Sequence, residues 1–120
     1  MHEAAIVEGL MRILDRQVKL HGIAVVKRVN LRVGRLRAVE PEQLRACFDM
    51  FAEGTPAEGA ALDIEVVPIR ARCRHCGSEF DVAGYRFECA TCGGGDVDVV
   101  QGQELYVESI EASGNGVVTK

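Results

Sequence analysis

The sequence predicts an α+β fold in which two helices pack on one face of a three-stranded sheet, with a small cysteine-rich module inserted before the third strand. Two segments carry apolar residues at helical spacing, three short segments have the pattern of strands, and two Cys-x-x-Cys pairs interrupt the order. The larger domain is therefore discontinuous. It spans residues 1–71 and 103–120, and the inserted domain spans residues 72–102.

The first helix is predicted over residues 4–21. An apolar stripe at helical spacing supports it, formed by Ile6, Leu10, Ile13 and Leu14. Gly22 follows, where a left-handed cap conformation ends a helix. His21 is interpreted as a surface or capping residue at that end.

The second helix is predicted to begin at Glu40-Pro41, because proline suits the first helical position. Gly54 ends it. We expect its buried face to be formed by Leu44, Cys47, Phe48 and Phe51. Cys47 is interpreted there as a small core hydrophobe.

The three strands are predicted over residues 25–33, around Leu62 to Val66, and over residues 104–111. Val29, Leu31 and Val33 alternate with polar residues in the first, and Leu62, Ile64 and Val66 do so in the second. Residues 112–120 are expected to form a frayed tail.

Composition and charge exclude several function classes. The 120 residues are 48% hydrophobic, which allows a real core, but no apolar run comes near the roughly 18 residues of a membrane span. No secretory signal pattern opens the chain, so we expect a cytoplasmic protein that does not act on membranes. The net charge of −4 argues against a nucleic-acid partner.

Four cysteines form two knuckles with metal-ligand spacing. Cys73 and Cys76 make the first pair, twelve residues follow, and Cys89 and Cys92 make the second. Two such pairs suit tetrahedral coordination of Zn²⁺ by four thiolates, and the glycine after each pair can close the turn. The sequence therefore predicts a zinc-ribbon-like module with a structural zinc ion, since four ligands leave no open position for substrate.

Other uses of these cysteines are weaker alternatives. Two disulfides need an oxidising compartment, and a thioredoxin-like motif needs one pair rather than two. A rubredoxin-like iron site has similar spacing and stays open at this stage. His75, inside the first pair, is interpreted as a solvent-facing loop residue.

The N-terminus offers a second set of metal donors. A histidine at position two places the Met1 amine, the His2 backbone nitrogen and the His2 imidazole in successive chelate rings. Such nitrogen donors suit square-planar Ni(II) or Cu(II), and Glu3 can add a backbone nitrogen or a carboxylate. No catalytic residues are predicted, because no nucleophile–base pair or phosphate-binding loop is present.

Taken together, the sequence resembles the HypA/HybF family of hydrogenase-maturation nickel metallochaperones. Four features in order carry the resemblance, namely Met1-His2-Glu3, Val33-Gly34-Arg35-Leu36 leading to Val39-Glu40-Pro41-Glu42, the paired knuckles, and Gly102-Gln103-Glu104-Leu105 with Ser109-Ile110-Glu111.

The resemblance implies a carrier and not an enzyme. It implies that the chain delivers Ni(II), as cargo, for maturation of the large subunit of [NiFe] hydrogenase, and in some organisms of urease, with a nickel-handling GTPase accessory protein as partner. Nickel is then expected at Met1, His2 and Glu3 in the larger domain, with the Glu40 carboxylate able to lie nearby.

Two other classes of protein remain as hypotheses. The first is a zinc-ribbon interaction module without a nickel role, for which the local positive charge comes from Arg70, Arg72, Arg74 and Arg86. The second is a small redox enzyme that uses Cys73 and Cys76.

Overall fold

A computed structural model describes residues 3–113 and the backbone of residues 116–119. The chain divides into two compact units. The first unit is built from the segment that ends at Arg32, from Val39–Glu65 and from the segment that begins at Tyr106. The second unit is built from Val33–Ala38 and Val66–Leu105.

Two helices and seven strands make up the described part of the chain. In chain order they are α1 (Glu3–His21), β1 (Val25–Gly34), α2 (Pro41–Ala52), β2 (Ala61–Val67), β3 (Arg70–Cys73), β4 (Glu79–Asp81), β5 (Val97–Gln101), β6 (Leu105–Ser113) and β7 (Gly116–Thr119). A short 3₁₀ turn, Arg35–Arg37, follows β1.

The helices of the first unit pack on a mixed sheet whose strand order is β2-β1-β6-β7. Helix α1 buries Val7, Leu10 and Leu14, and α2 buries Leu44, Phe48 and Ala52. Strand β1 buries alternate residues, among them Val29 and Leu31. The α+β fold with two helices on a sheet is thereby confirmed.

The sheet has four strands where the sequence predicted three. The additional strand, β7, lies in the segment expected to be a frayed tail, and it pairs antiparallel with β6, with Ala112 opposite Gly116.

Two buried positions were also predicted wrongly. Phe51 is 38% exposed, because α2 buries residues four apart, Leu44, Phe48 and Ala52, and Phe51 lies on the flank of that stripe. Val66 is 43% exposed while Val67 is buried, so the alternation of β2 breaks before its last residue.

The second unit has its own three-stranded antiparallel sheet, in the order β4-β3-β5. Ala71 pairs with Phe80 on one side and with Val99 on the other. Six buried side chains form its small core: Ile69, Ala71, Cys73, Phe80, Val82 and Cys89. Two of the six are candidate metal ligands, so the core of this unit and its metal site are built from the same residues.

The segment after β1 is held by the segment before β6. The Gly34 N–H donates to the Glu104 carbonyl at 2.6 Å, and the Leu36 N–H donates to the Gly102 carbonyl at 2.9 Å. A Cβ on Gly34 would lie 2.0 Å from the Gly102 oxygen, so only glycine allows this approach. Within the described residues, no helix has the length and apolar character needed to cross a membrane.

Candidate metal centres

The four predicted cysteines converge on one point. Their Sγ atoms all lie within 4.8 Å of one another, with 3.6 Å from Cys73 to Cys92 and 3.5 Å from Cys76 to Cys89. A tetrahedral zinc site with Zn–S bonds of about 2.3 Å requires sulfur–sulfur separations of about 3.8 Å. The cluster therefore fits a structural zinc ion.

The first knuckle begins where β3 ends. The Cys73 N–H donates to the Ser78 carbonyl at 2.9 Å, and the Gly77 N–H donates back to the Cys73 carbonyl at 2.9 Å. Gly77 has φ +78°, the left-handed conformation that closes this turn. The Cys76 N–H points at the Cys73 sulfur from 3.5 Å, so a backbone dipole stabilises negative charge on that sulfur.

The second knuckle repeats this geometry. The Cys89 N–H donates to the Gly94 carbonyl at 2.8 Å, and the Gly93 N–H donates to the Cys89 carbonyl at 2.8 Å. Gly93 has φ +76°, and the Cys92 N–H approaches the Cys89 sulfur at 3.4 Å. Both glycines that follow a cysteine pair thus have the positive φ that the sequence allowed for.

The electrostatics of the cluster favour a cation. Hydrogen bonds from the Ser78 side chain and backbone lower the pKa of Cys76 to about 6. At Cys92 a hydrogen bond from the Gly94 backbone favours the thiolate, but the neighbouring sulfurs of Cys73 and Cys89 outweigh it and raise the pKa of Cys92 to about 11. Four thiolates at this spacing repel one another, and a divalent ion relieves that repulsion.

The four cysteines of the cluster differ in their burial. Cys73 and Cys89 are buried, whereas Cys76 and Cys92 are exposed. The first cysteine of each knuckle is thus part of the core and the second faces outward. A metal ion held between them links the core of the unit to its two surface turns.

The arginines near the knuckles are paired within their own unit. Arg70 bonds Asp81 at 2.6 Å, Arg72 bonds Glu79 at 2.6 Å and Arg74 bonds Asp98 at 2.5 Å. These hydrogen bonds hold the pKa values of Glu79 and Asp98 below their usual range.

The pairing weakens the hypothesis of a nucleic-acid interface. Such an interface needs arginines that are free to meet phosphates, whereas three of the four guanidinium groups are paired with carboxylates of β4 or β5. Arg86 lies 3.9 Å from Glu88.

The predicted nickel residues fall at the beginning of the chain. Met1 and His2 lie outside the described residues. Glu3 is the first residue of α1, and its Oε2 accepts a hydrogen bond from the Glu40 backbone N–H at 3.2 Å. The Glu40 side chain caps α2 by accepting from the Glu42 N–H at 3.5 Å. The structure therefore brings Glu3 and Glu40 together, although 37 positions separate them.

The structure also locates the other candidate residues, Cys47, His21 and His75. Cys47 is half-buried on α2, and His21 is exposed at the end of α1. His75 is exposed in the first knuckle, as interpreted from the sequence.

Two features were not predicted from the sequence. One is Ser78, whose hydrogen bonds lower the pKa of Cys76, and the other is the close approach of Gly34 to Gly102. The only signal for Ser78 was a hydroxyl residue directly after the knuckle glycine.

Comparison with known proteins gives one consistent family. Residues 1–112 match the family model described as "Hydrogenase/urease nickel incorporation, metallochaperone, hypA". Proteins named hydrogenase maturation factor HypA are similar across the same length. The one from Desulfitobacterium hafniense is 40% identical over 111 residues, which covers 92% of this chain and 97% of that protein. The one from Acidithiobacillus ferrooxidans is 41% identical over 111 residues, with coverage of 92% and 98%.

Two solved structures share the fold. The solution structure of the Ni metallochaperone HypA from Helicobacter pylori has a TM-score of 0.66 at 24% identity and covers 93% of this chain and 97% of that one. A second solution structure, titled HypA protein, has a TM-score of 0.71 at 24% identity, with coverage of 93% and 96%.

The family match over residues 1–112 and the relatives at 40% identity agree with the four-cysteine cluster and with the helix-on-sheet fold. The chain belongs to the HypA family, the metallochaperones of nickel incorporation in hydrogenase maturation.

Proposed function

We propose that this chain carries one Ni(II) ion at its N-terminus and transfers it to the large subunit of [NiFe] hydrogenase. One observation supports this site above others: the hydrogen bond from the Glu40 N–H to the Glu3 carboxylate. It joins the Glu3 side chain, directly after Met1-His2 in the sequence, to the backbone of the residue that caps α2.

The proposed nickel ligands are the Met1 amine, the backbone and imidazole nitrogens of His2, and a donor from Glu3. Nitrogen donors in successive chelate rings match the square-planar preference of Ni(II). Glu40 is proposed to act beside them, because a second carboxylate near the ion adds favourable charge. Ligands at a chain terminus are accessible to a receiving protein, which suits cargo that must be released.

Zinc has a separate role in this proposal. The proposed ligands are Cys73, Cys76, Cys89 and Cys92, and the bound ion supplies structural cross-linking, not chemistry. The zinc-binding domain is proposed to be residues 72–102. The nickel-binding domain is proposed to be residues 1–71 and 103–120.

We propose that the chain itself performs no catalysis and works in the cytoplasm. Its sequence lacks the G-x-x-x-x-G-K-[ST] loop, so nucleotide hydrolysis would be supplied by a nickel-handling GTPase accessory protein. Urease is a second proposed client, and the family description includes it.

Transfer of radioactive nickel tests this function. The untagged chain, loaded with one equivalent, is mixed with the precursor of the hydrogenase large subunit, the GTPase accessory protein and GTP. Nickel is expected to move to the precursor from the parent chain, but not after the same loading step with His2→Ala. His75→Ala, which changes the same residue type in the zinc knuckle, serves as the control and should transfer normally. Equal transfer by the parent and His2→Ala would overturn the proposal.

A further inference from the structure

Strand β7 occupies the outer edge of β6. It is the last strand in the order β2-β1-β6-β7, and it pairs antiparallel with β6 from Ser109 opposite Thr119 to Ala112 opposite Gly116. Its backbone thus takes up hydrogen-bonding groups of β6 that would otherwise face solvent.

This strand lies beyond the family match. The family model ends at residue 112, and β7 begins at Gly116. The similarity to the Desulfitobacterium hafniense protein spans 97% of that protein but 92% of this chain. The features that define the family therefore do not account for β7.

The edge that β7 covers would be a strong pairing surface if it were open. Strand β6 is nine residues long, and its residues Val107, Ile110 and Ala112 are buried. A long edge with an apolar face is a template for pairing with another strand, whereas short edges and lysines discourage pairing. Strand β7 replaces this edge with one of four residues, followed in the sequence by Lys120.

We propose that β7 is an edge guard: it covers a strand-pairing surface on β6, and a second copy of this chain occupies that surface when β7 is displaced. Each copy brings an identical edge, so an antiparallel β6–β6 pair around a two-fold axis forms a closed dimer. No other protein is needed to supply a strand of matching length.

The side chains of β6 select one register. Ser109 and Glu111 both contact Asn30 of β1, and Ile110 and Ala112 are buried on the opposite face. With Ile110 on the two-fold axis, Ile110 faces Ile110 and Ser109 faces Glu111. With Glu111 on the axis, two like charges would be directly opposed. The register centred on Ile110 is therefore the one proposed.

The test displaces β7 without shortening the chain. In Val117→Pro/Val118→Pro, two backbone donors of β7 are lost, whereas the control Val117→Thr/Val118→Thr keeps strand-forming residues at both positions.

Mass is measured by light scattering over a range of concentrations. The proline variant is expected to double its mass relative to the parent as concentration rises, and the threonine control to match the parent. Hydrogen exchange should show residues 109–112 protected in the dimer.

A charge pair then tests the register in the proline background. Ser109→Lys sets a lysine opposite Glu111 of the other copy and is expected to tighten the dimer by about two- to thirtyfold, and Ser109→Glu to weaken it by a similar factor. Zinc content and circular dichroism establish that each variant is folded. A chain that stops after Ser113 lacks β7 altogether and provides a second way to expose the edge of β6. A displaced chain that keeps the parent's mass at every concentration would overturn the proposal, as would equal effects of the two Ser109 variants.

Discussion

The backbone N–H of Glu40 donates a hydrogen bond to Oε2 of Glu3 over 3.2 Å. This contact joins the first residue of α1 to the N-cap of α2, and both residues belong to the first unit. It brings the Glu3 carboxylate to the beginning of α2, and Glu3 follows the proposed nickel donors Met1 and His2 in the sequence.

The first prediction concerns Glu40. Glu40→Gln keeps the backbone N–H that holds Glu3 but removes the second negative charge, so nickel affinity should fall by about tenfold, the lower bound for groups that support a metal's ligands. Isothermal titration with nickel on untagged protein measures it. Glu42→Gln, two residues further along the chain with the same charge change, is the control and should bind as the parent does. Equal affinities for Glu40→Gln and the parent would remove Glu40 from the site.

The second prediction concerns the approach of Gly34 to Gly102. Gly34→Ala sets a Cβ 2.0 Å from a backbone oxygen that has no free rotation, so the free energy of unfolding should fall by about 3 kcal/mol or more. Gly9→Ala is the matched control. Its Cβ has no atom within 4 Å and lies inside α1, so this substitution should raise stability by about 0.5–1 kcal/mol. Urea denaturation compares the two, and a Gly34→Ala variant as stable as the parent would contradict the structure at this contact.

The third prediction concerns removal of zinc. The second unit has a core of six buried residues, and Cys73 and Cys89 are two of them. Without metal this core is too small to offset the cost of ordering the chain, so chelation should unfold the unit. Hydrogen exchange is expected to show loss of protection in β3, β4 and β5 and retained protection in α1 and α2. Protected β3–β5 amides in zinc-free, reduced protein would show that the metal is dispensable for folding.

The fourth prediction concerns pH. Arg72 and Arg74 hold the pKa values of Glu79 and Asp98 below their ordinary values of 4.5 and 3.8. The folded unit therefore favours the ionised carboxylates, and their contribution is fully present above those ordinary values and is lost as pH falls through the lowered ones. Acid releases zinc by protonating the thiolates, and the two pairs oppose this release while they remain charged.

Glu79→Gln/Asp98→Asn should therefore release zinc at a higher pH than the parent. The expected change is a few tenths of a pH unit, because exposed ion pairs are weak. A colorimetric zinc indicator follows the release, and Glu88→Gln, whose carboxylate lies 3.9 Å from Arg86, is the control. An unchanged or lowered midpoint in the double variant would show that the pairs do not support the metal site.

Local features of this protein could be predicted from its sequence. The knuckles depend on spacing and on one glycine each, so the positive φ at Gly77 and Gly93 follows from the sequence of each turn alone. The start of α2 was predicted in the same way, because Pro41 suits the first helical position.

Features that depend on distant parts of the chain could not be derived in that way. Helical periodicity predicted that Phe48 and Phe51 are both buried. Only the packing of the helix decides that Phe48 is buried and Phe51 is exposed. The meeting of Gly34 with Gly102 joins residues 68 positions apart, and neither glycine has a local pattern that reveals the other. Strand β7 was missed because a short segment rich in glycine gains its order from the edge of β6.

A nickel titration of the untagged, zinc-loaded chain, compared with His2→Ala and with a form that has two residues added before Met1, tests the N-terminal nickel site directly. We expect one Ni(II) per parent chain, loss of that site in both altered forms, and an unchanged content of one zinc in all three. The same nickel affinity in all three proteins would contradict a nickel site at the N-terminus.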